Sequence, residues 1–290
     1  MTRTRVRPFC WRNLTLSAAT CLLLGTTAAQ GAVLNSDLYA ERTVMREADS
    51  RCRLFDPVIS QALQLGQVQA RNAILRAGGD ENALSNLTRA AEARGGSIAC
   101  NDKALSVEAK RIRSAFSAYI QIGRMSFPGM RSVWKADKTV LSSRSESGRW
   151  ALSGSPLKAD GPVQFGVATF DGSLRLFAQP PSAGSARPIT ARLWLRNVDI
   201  ADRPYLSGSL NLPPRAISRA YFASERRKGP DGNSGFEFAE STARALSALD
   251  PRESVLVEFV YPEPGGERIV QAVYEVGDFA PAIGFLTLRN

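Results

Sequence analysis

Histidine is absent from all 290 residues. That absence removes Ser-His-Asp and Cys-His nucleophilic catalysis, histidine-ligated zinc, and the one side chain that ordinarily titrates near neutrality. A hydrolase built on this chain would need paired carboxylates, a Ser-Lys dyad or an oxygen-ligated metal. Lysine is scarce, with 6 residues against 31 arginines, a ratio that points to a high-GC bacterial genome. No apolar run reaches the roughly 20 residues of a membrane-spanning helix. No Gly-rich phosphate loop occurs, and no zinc-finger, helix-turn-helix or aromatic-basic RNA-binding signature is present, so nucleic acid is not expected as a partner.

What the first residues do contain is an export signal. Arg3, Arg5, Arg7 and Arg12 form a positive region, "LTLSAATCLLLGTTAA" (14–29) supplies a short apolar stretch, and small residues follow, with cleavage expected after Ala29 or Gly31. Residues 1–31 are therefore read as a signal peptide, and the periplasm or the exterior as the compartment. The segment carries four arginines and no acid, so the mature charge falls from +10 to 33 − 27 = +6. That excess lies in residues 32–138 and suits an anionic glycan or other envelope partner.

Four cysteines reduce to two when Cys10 and Cys21 leave with the signal. Cys52 and Cys100 then form an even pair in an oxidising compartment, and a disulfide is expected between them. Cys52 lies between Arg51 and Arg53, yet it has no histidine to activate it and no companions for a metal.

The fold class expected is α+β: an all-α domain of about four helices over 33–138, a Ser/Gly-rich linker over 139–162, and a mainly antiparallel β domain with one or two packed helices over 163–290. After Asn35 and Ser36, either able to cap, Leu38, Met45, Ala48, Cys52 and Phe55 repeat at helical spacing. Asp56-Pro57 reads as a cap followed by a first-turn proline, and Gly78-Gly79 as a stop. Asp80 opens a third helix that ends at Gly95-Gly96. Asn101 or Asp102 opens a fourth, with Leu105, Ala109, Ile112, Phe116 and Tyr119 on one side. Residues 126–138 read as an ordered loop carrying Phe127, Met130 and Trp134, the first suspect if the protein were a secreted enzyme inhibitor.

From 163 the period becomes two. Asp171-Gly172 turns a hairpin in which Phe170 faces Ser173, Val167 faces Leu176 and Phe165 faces Ala178. Strands are expected at 189–197, 205–212, 216–227, 235–238, 254–261 and 268–276. Helices are expected at 240–249 and, capped by Gly277-Asp278, over "FAPAIGFL".

No residue qualifies as catalytic, cofactor-binding or metal-binding, and no cofactor is implied. Ser132-Lys135 and Ser155-Lys158 match S-x-x-K, but no K-T-G follows. "GPDGNSGFEFAE" (229–240) begins like a calcium loop at Asp231 and Asn233, then fails at Phe236 and Thr242. The candidate binding surface is Arg192, Trp194 and Arg196 on the outward face of one strand, where a Trp between guanidinium groups could stack on a sugar, an aromatic or an anion; the competing reading has that Trp covered by a C-terminal helix. Arg226 and Arg227 at a hairpin end form a second basic cluster. The function expected is an exported, non-enzymatic binding or envelope-assembly protein with an unknown protein or anionic glycan partner. The alternatives are a histidine-free hydrolase or an enzyme inhibitor.

Overall fold

The computed structural model of the protein describes residues 27–142, 148–181, 187–230 and 232–288, with side chains from residue 35 onward. Most of the expected signal segment and Asp231 of the rejected calcium loop lie outside the described residues. Among the described residues, no helix is long and apolar enough to cross a membrane.

Four helices come first: α1 (Thr27–Cys52), α2 (Pro57–Arg76), α3 (Glu81–Ser97) and α4 (Lys103–Gln121). Helix α1 runs through Asn35 and Ser36, so neither caps it. It ends where Arg53 turns to φ 51°. The other three starts follow the aspartates. Asp56 accepts from Ile59 N, Asp80 from Ala83 N, and Asp102 from Ala104 and Leu105 N, each satisfying first-turn donors that the helix itself cannot. Helix α3 continues through Gly95-Gly96 to Ser97. Gly95 serves close packing here: a Cβ on it would lie 2.6 Å from Val44 O of α1. Met45, Ala48, Ile59, Leu63, Leu105, Ala109, Ile112 and Phe116 form the common core of α1, α2 and α4.

The disulfide joins Cys52 to Cys100 with Cα atoms 5.4 Å apart, inside the range a bridge spans without backbone movement. It fixes the end of α1 to the start of α4 and encloses α2 and α3.

The remainder is two packed antiparallel sheets. One runs β1 (Arg124–Pro128), β2 (Val133–Asp137), β3 (Arg149–Gly154), β5 (Gln164–Phe170), β6 (Ser173–Gln179), β10 (Ser234–Phe238), β9 (Glu225–Lys228). The other runs β4 (Lys158–Ala159), β12 (Gly266–Glu275), β11 (Ser254–Glu263), β7 (Thr190–Arg196), β8 (Ser218–Phe222). Their inner faces share one core, with Phe165 against Tyr274 at 5.2 Å and Phe236 against Phe259 at 5.9 Å between ring centroids. The Asp171-Gly172 hairpin has the register read from its sequence, Phe170 to Ser173, Val167 to Leu176 and Phe165 to Ala178.

Four segments differ from expectation. Residues 126–138 are not a loop: β1 and β2 begin the seven-stranded sheet, with Phe127 and Trp134 fully buried. At five residues each, the two strands are too short for their alternation to stand out in the sequence. Residues 205–212 form no strand, because the chain there packs by side-chain anchors to its neighbours. Residues 216–227 are two strands in different sheets. Ala223 N donates to Ala191 O of β7 at 3.0 Å, and the next amide, Ser224 N, donates to Glu237 O of β10 at 2.8 Å. One peptide unit thus passes the chain from sheet to sheet, which no periodicity records. Within the expected linker, β3 sits between β2 and β5, so it is an interior strand of its sheet.

Two helices complete the fold, α5 (Glu240–Ser247) and α6 (Phe279–Thr287). Helix α6 lies between the helical layer and the sheets. Phe285 meets Tyr119 and Phe127, each at 5.5 Å, and a Cβ on Gly284 would lie 2.2 Å from Leu65 Cδ2 of α2. Asp278 does not cap α6 with its side chain. Its carboxylate turns instead to Asn72 and Arg76 of α2.

Candidate functional site

On β7, Ala191, Leu193 and Leu195 point into the core, and Arg192, Trp194 and Arg196 point outward. Directly across the sheet, Trp194 faces Leu256 and Ala220, and Arg192 faces Glu258 and Phe222. Glu258 in turn faces Gln271 of β12. These registers bring an acid, Glu258, into the middle of a strand whose first eight residues are all buried.

Glu258 is 1 % exposed, and a carboxylate buried this deeply must be fully hydrogen-bonded. Trp194 Nε1 donates to it at 2.6 Å, Gln271 Nε2 at 2.8 Å, and Arg215 pairs with the same carboxylate. Arg215 also stacks over the Trp194 ring, its guanidinium carbon 3.7 Å from the centroid, a cation–π contact strengthened by partial desolvation. Trp194, Leu256, Gln271, Arg215, Ser218 and the run Leu212–Pro214 line an open depression of about 330 Å3. Trp194 is thus covered by Arg215, while the C-terminal helix packs elsewhere, against α2 and β2.

The other surface candidates are held by internal partners. Arg196 is buried and bidentate to Glu253, at 2.7 and 3.1 Å. Glu253 also accepts from Tyr205 N and Asp250 N. Arg192 reaches Glu267 at 3.3 Å. Arg226 donates to Pro188 O and lies over Phe236; Arg227 pairs with Glu225 and Glu237 and lies over Phe170.

The segment between β7 and the short 3-10 turn at Arg215–Ile217 has no strand or helix over residues 197–214, a length that is uncommon without a role. It is pinned at several points: Ala201 O to Arg196, Tyr205 N to Glu253, Ser209 O and Leu210 O to Arg131, and Asn211 Nδ2 to Arg252 O. Between those anchors it exposes Val198, Ile200 and Leu206. It borders a second open depression of about 460 Å3, where Arg203, Pro204 and Leu206 face Arg252 and the start of α3.

The groups that could perform chemistry are placed differently. Ser132 lies in the β1–β2 turn with Lys135 on β2, and Ser155 follows β3 with Lys158 on β4. Neither pair shares a helical turn, and both lysines are exposed. The tip of the β1–β2 hairpin is clamped: Met130, Arg131 and Ser132 N donate to the Glu275 carboxylate at 2.6, 2.9 and 3.0 Å. Trp134 Nε1 donates to Val276 O at 2.9 Å. Burial pushes the Asp278 carboxyl above its ordinary range, with Arg76 and Asn72 opposing that shift. Among the described residues, no three His, Cys, Asp or Glu side chains converge as metal ligands.

Of the residues joined through Glu258, the sequence marks out Trp194 alone; Arg215, Glu258 and Gln271 are brought to it by the fold. A signal did exist for Glu258, a lone acid in the apolar run "VLVEFV". Arg215 had none, because its distance from Trp194 is set by the path of residues 197–214. No protein-family model, curated protein sequence or solved structure matches this chain.

Proposed function

We propose that the protein is an exported, non-enzymatic binding or envelope-assembly protein. It works in the periplasm or outside the cell and holds a protein or glycan partner on the outer face of its five-stranded sheet. The observation that carries this reading is the Glu258 hub. One buried carboxylate orients Trp194, Arg215 and Gln271 as fixed walls of a depression, the preorganised mixture of apolar body and polar donors that recognition sites use. Arg215 keeps nearly half its side chain exposed, at 46 %. The buried carboxylates Glu253, Glu275 and Asp278 are each engaged by arginine or backbone N–H groups, the arrangement of structural acids.

The test is photo-crosslinking in the native envelope from a residue of the depression, Leu212, with Val107 on the solvent side of α4 as the control position. A discrete adduct from 212 alone, diminished by Arg215→Ala, is the expected result. Turnover of a peptidoglycan or ester substrate by purified protein, with no adduct, would overturn the reading.

A further inference from the structure

Among the described residues no strand pairs with the outer edge of β8, and this edge lies immediately beside the depression, since Ala220 is the register partner of Trp194 and Ser218 lines the cavity. Ala223 N bonds to Ala191 O, and Asn197 N to Ile217 O. In an antiparallel ladder this phase directs the backbone groups of 217, 219, 221 and 223 toward β7. The N–H and C=O of Ala220 and Phe222 therefore point away from the sheet. Phe222 is 63 % exposed, and Arg219, the charge on this strand, is paired with Asp199 at 2.8 Å.

The other edges of the two sheets are blunted in ways that discourage strand addition. On β1 one outward position is Pro128, which has no N–H. Strand β9 is Glu-Arg-Arg-Lys throughout. Beside β12 sits β4, after which the Asp160 carboxylate accepts from Gln271 N, and the remaining edge carries Glu267 and Arg268.

We propose that β8 receives an extended polypeptide strand of the partner, which joins the five-stranded sheet as its sixth strand and places an apolar side chain on Phe222. Only an extended main chain supplies alternating acceptors and donors at the spacing of Ala220 and Phe222, and pockets beside such an edge then read alternate side chains. The inference rests on the binding reading above and names its partner as polypeptide.

The experiment pans a displayed library of random dodecapeptides on the purified full-length exported protein. Selected peptides are then synthesised and followed by amide hydrogen exchange. Strand addition predicts that a bound peptide protects the amides of Ala220 and Phe222. Ala220→Pro, which removes an outward N–H and no hydrogen bond to β7, should weaken binding at least tenfold, and Phe222→Ser should weaken it likewise. If Ala220→Pro does not fold, the peptide is N-methylated at alternate residues: one phase should abolish binding and the other should not. Peptides that bind with no protection at 220 and 222 and no sensitivity to either phase overturn the strand inference while leaving a binding protein. No selected peptide, with anionic glycan binding in the depression instead, overturns it in favour of the glycan. No binding of either kind, with turnover of an envelope substrate, removes the underlying reading as well.

Discussion

Arg76 of α2 donates to both carboxylate oxygens of Asp278, at 2.6 and 3.3 Å, across 202 residues of sequence. The contact fastens the helical layer to the first residue of the α6 junction, and Asn72 completes it at 2.9 Å. Because burial holds Asp278 above its ordinary range, the two partners are not equivalent. Removing Arg76 leaves a buried carboxylate unpaired, and Arg76→Ala should cost about 3 kcal/mol at neutral pH. Asp278→Asn keeps an acceptor and should cost about 1 kcal/mol. The raised folded value means that the native state holds this proton where the unfolded chain has released it. Stability from this group therefore falls as pH rises from the ordinary carboxylate range through the raised value. Urea denaturation as a function of pH checks both points: relative to Asp278→Asn, the unaltered protein should gain stability on acidification, and the cost of Arg76→Ala should shrink.

Glu275 clamps the hairpin tip through three backbone donors. Hydrogen bonds to an ionised acceptor are among the stronger ones, and Glu275→Ala should lower stability by about 3 kcal/mol. Amide exchange at Met130, Arg131 and Ser132 should rise together, ahead of the β5–β6 hairpin, because the substitution frees one turn and leaves the sheet paired. Equal acceleration across the whole sheet would refute the clamp.

The Cys52–Cys100 bridge closes 48 residues. Restricting an unfolded loop of that length stabilises the native chain by about 4 kcal/mol at most. Non-reducing mass spectrometry should find Cys52 and Cys100 unalkylated, and Cys52→Ser with Cys100→Ser should lower the denaturation midpoint by an amount consistent with that figure. Free Cys52 without reductant would contradict it.

Arg215 and Glu258 should act as parts of one hub. Arg215→Ala removes the guanidinium from the Trp194 face and leaves the buried Glu258 carboxylate without its arginine, so it should cost about 3 kcal/mol. It should shift the emission of Trp194 to longer wavelength and weaken partner binding at least tenfold. Glu258→Ala strands the Trp194 and Gln271 donors and should cost about 3 kcal/mol. A Glu258→Ala protein as stable as the unaltered one would show that the hub is not formed.

The features legible in the chain are those governed by a few neighbouring residues. Asp56, Asp80 and Asp102 capped their helices as read because a cap is decided within one turn. The Asp171-Gly172 hairpin had its expected register because two adjacent positive-φ residues fix the strands that follow. The 205–212 strand failed for the opposite reason: an alternating pattern needs a neighbouring strand, and Leu206 instead lies exposed beside α3. Gly95-Gly96 stands next to the last residue of α3, Ser97, and Gly95 there also lets α1 approach, a second role that the sequence does not display.

The amino-acid sequence alone determined the helical layer, the cysteine pair, the α+β class and the exclusion of histidine chemistry, since each depends on composition or on contacts within a few residues. Tertiary structure decided the rest. It sent Ala223 and Ser224 into different sheets, carried Arg215 onto Trp194, and set Asp278 against Arg76 in place of its helix. Those outcomes depend on packing between segments far apart in the chain, where burying a charge demands a partner and the fold determines which one is within reach.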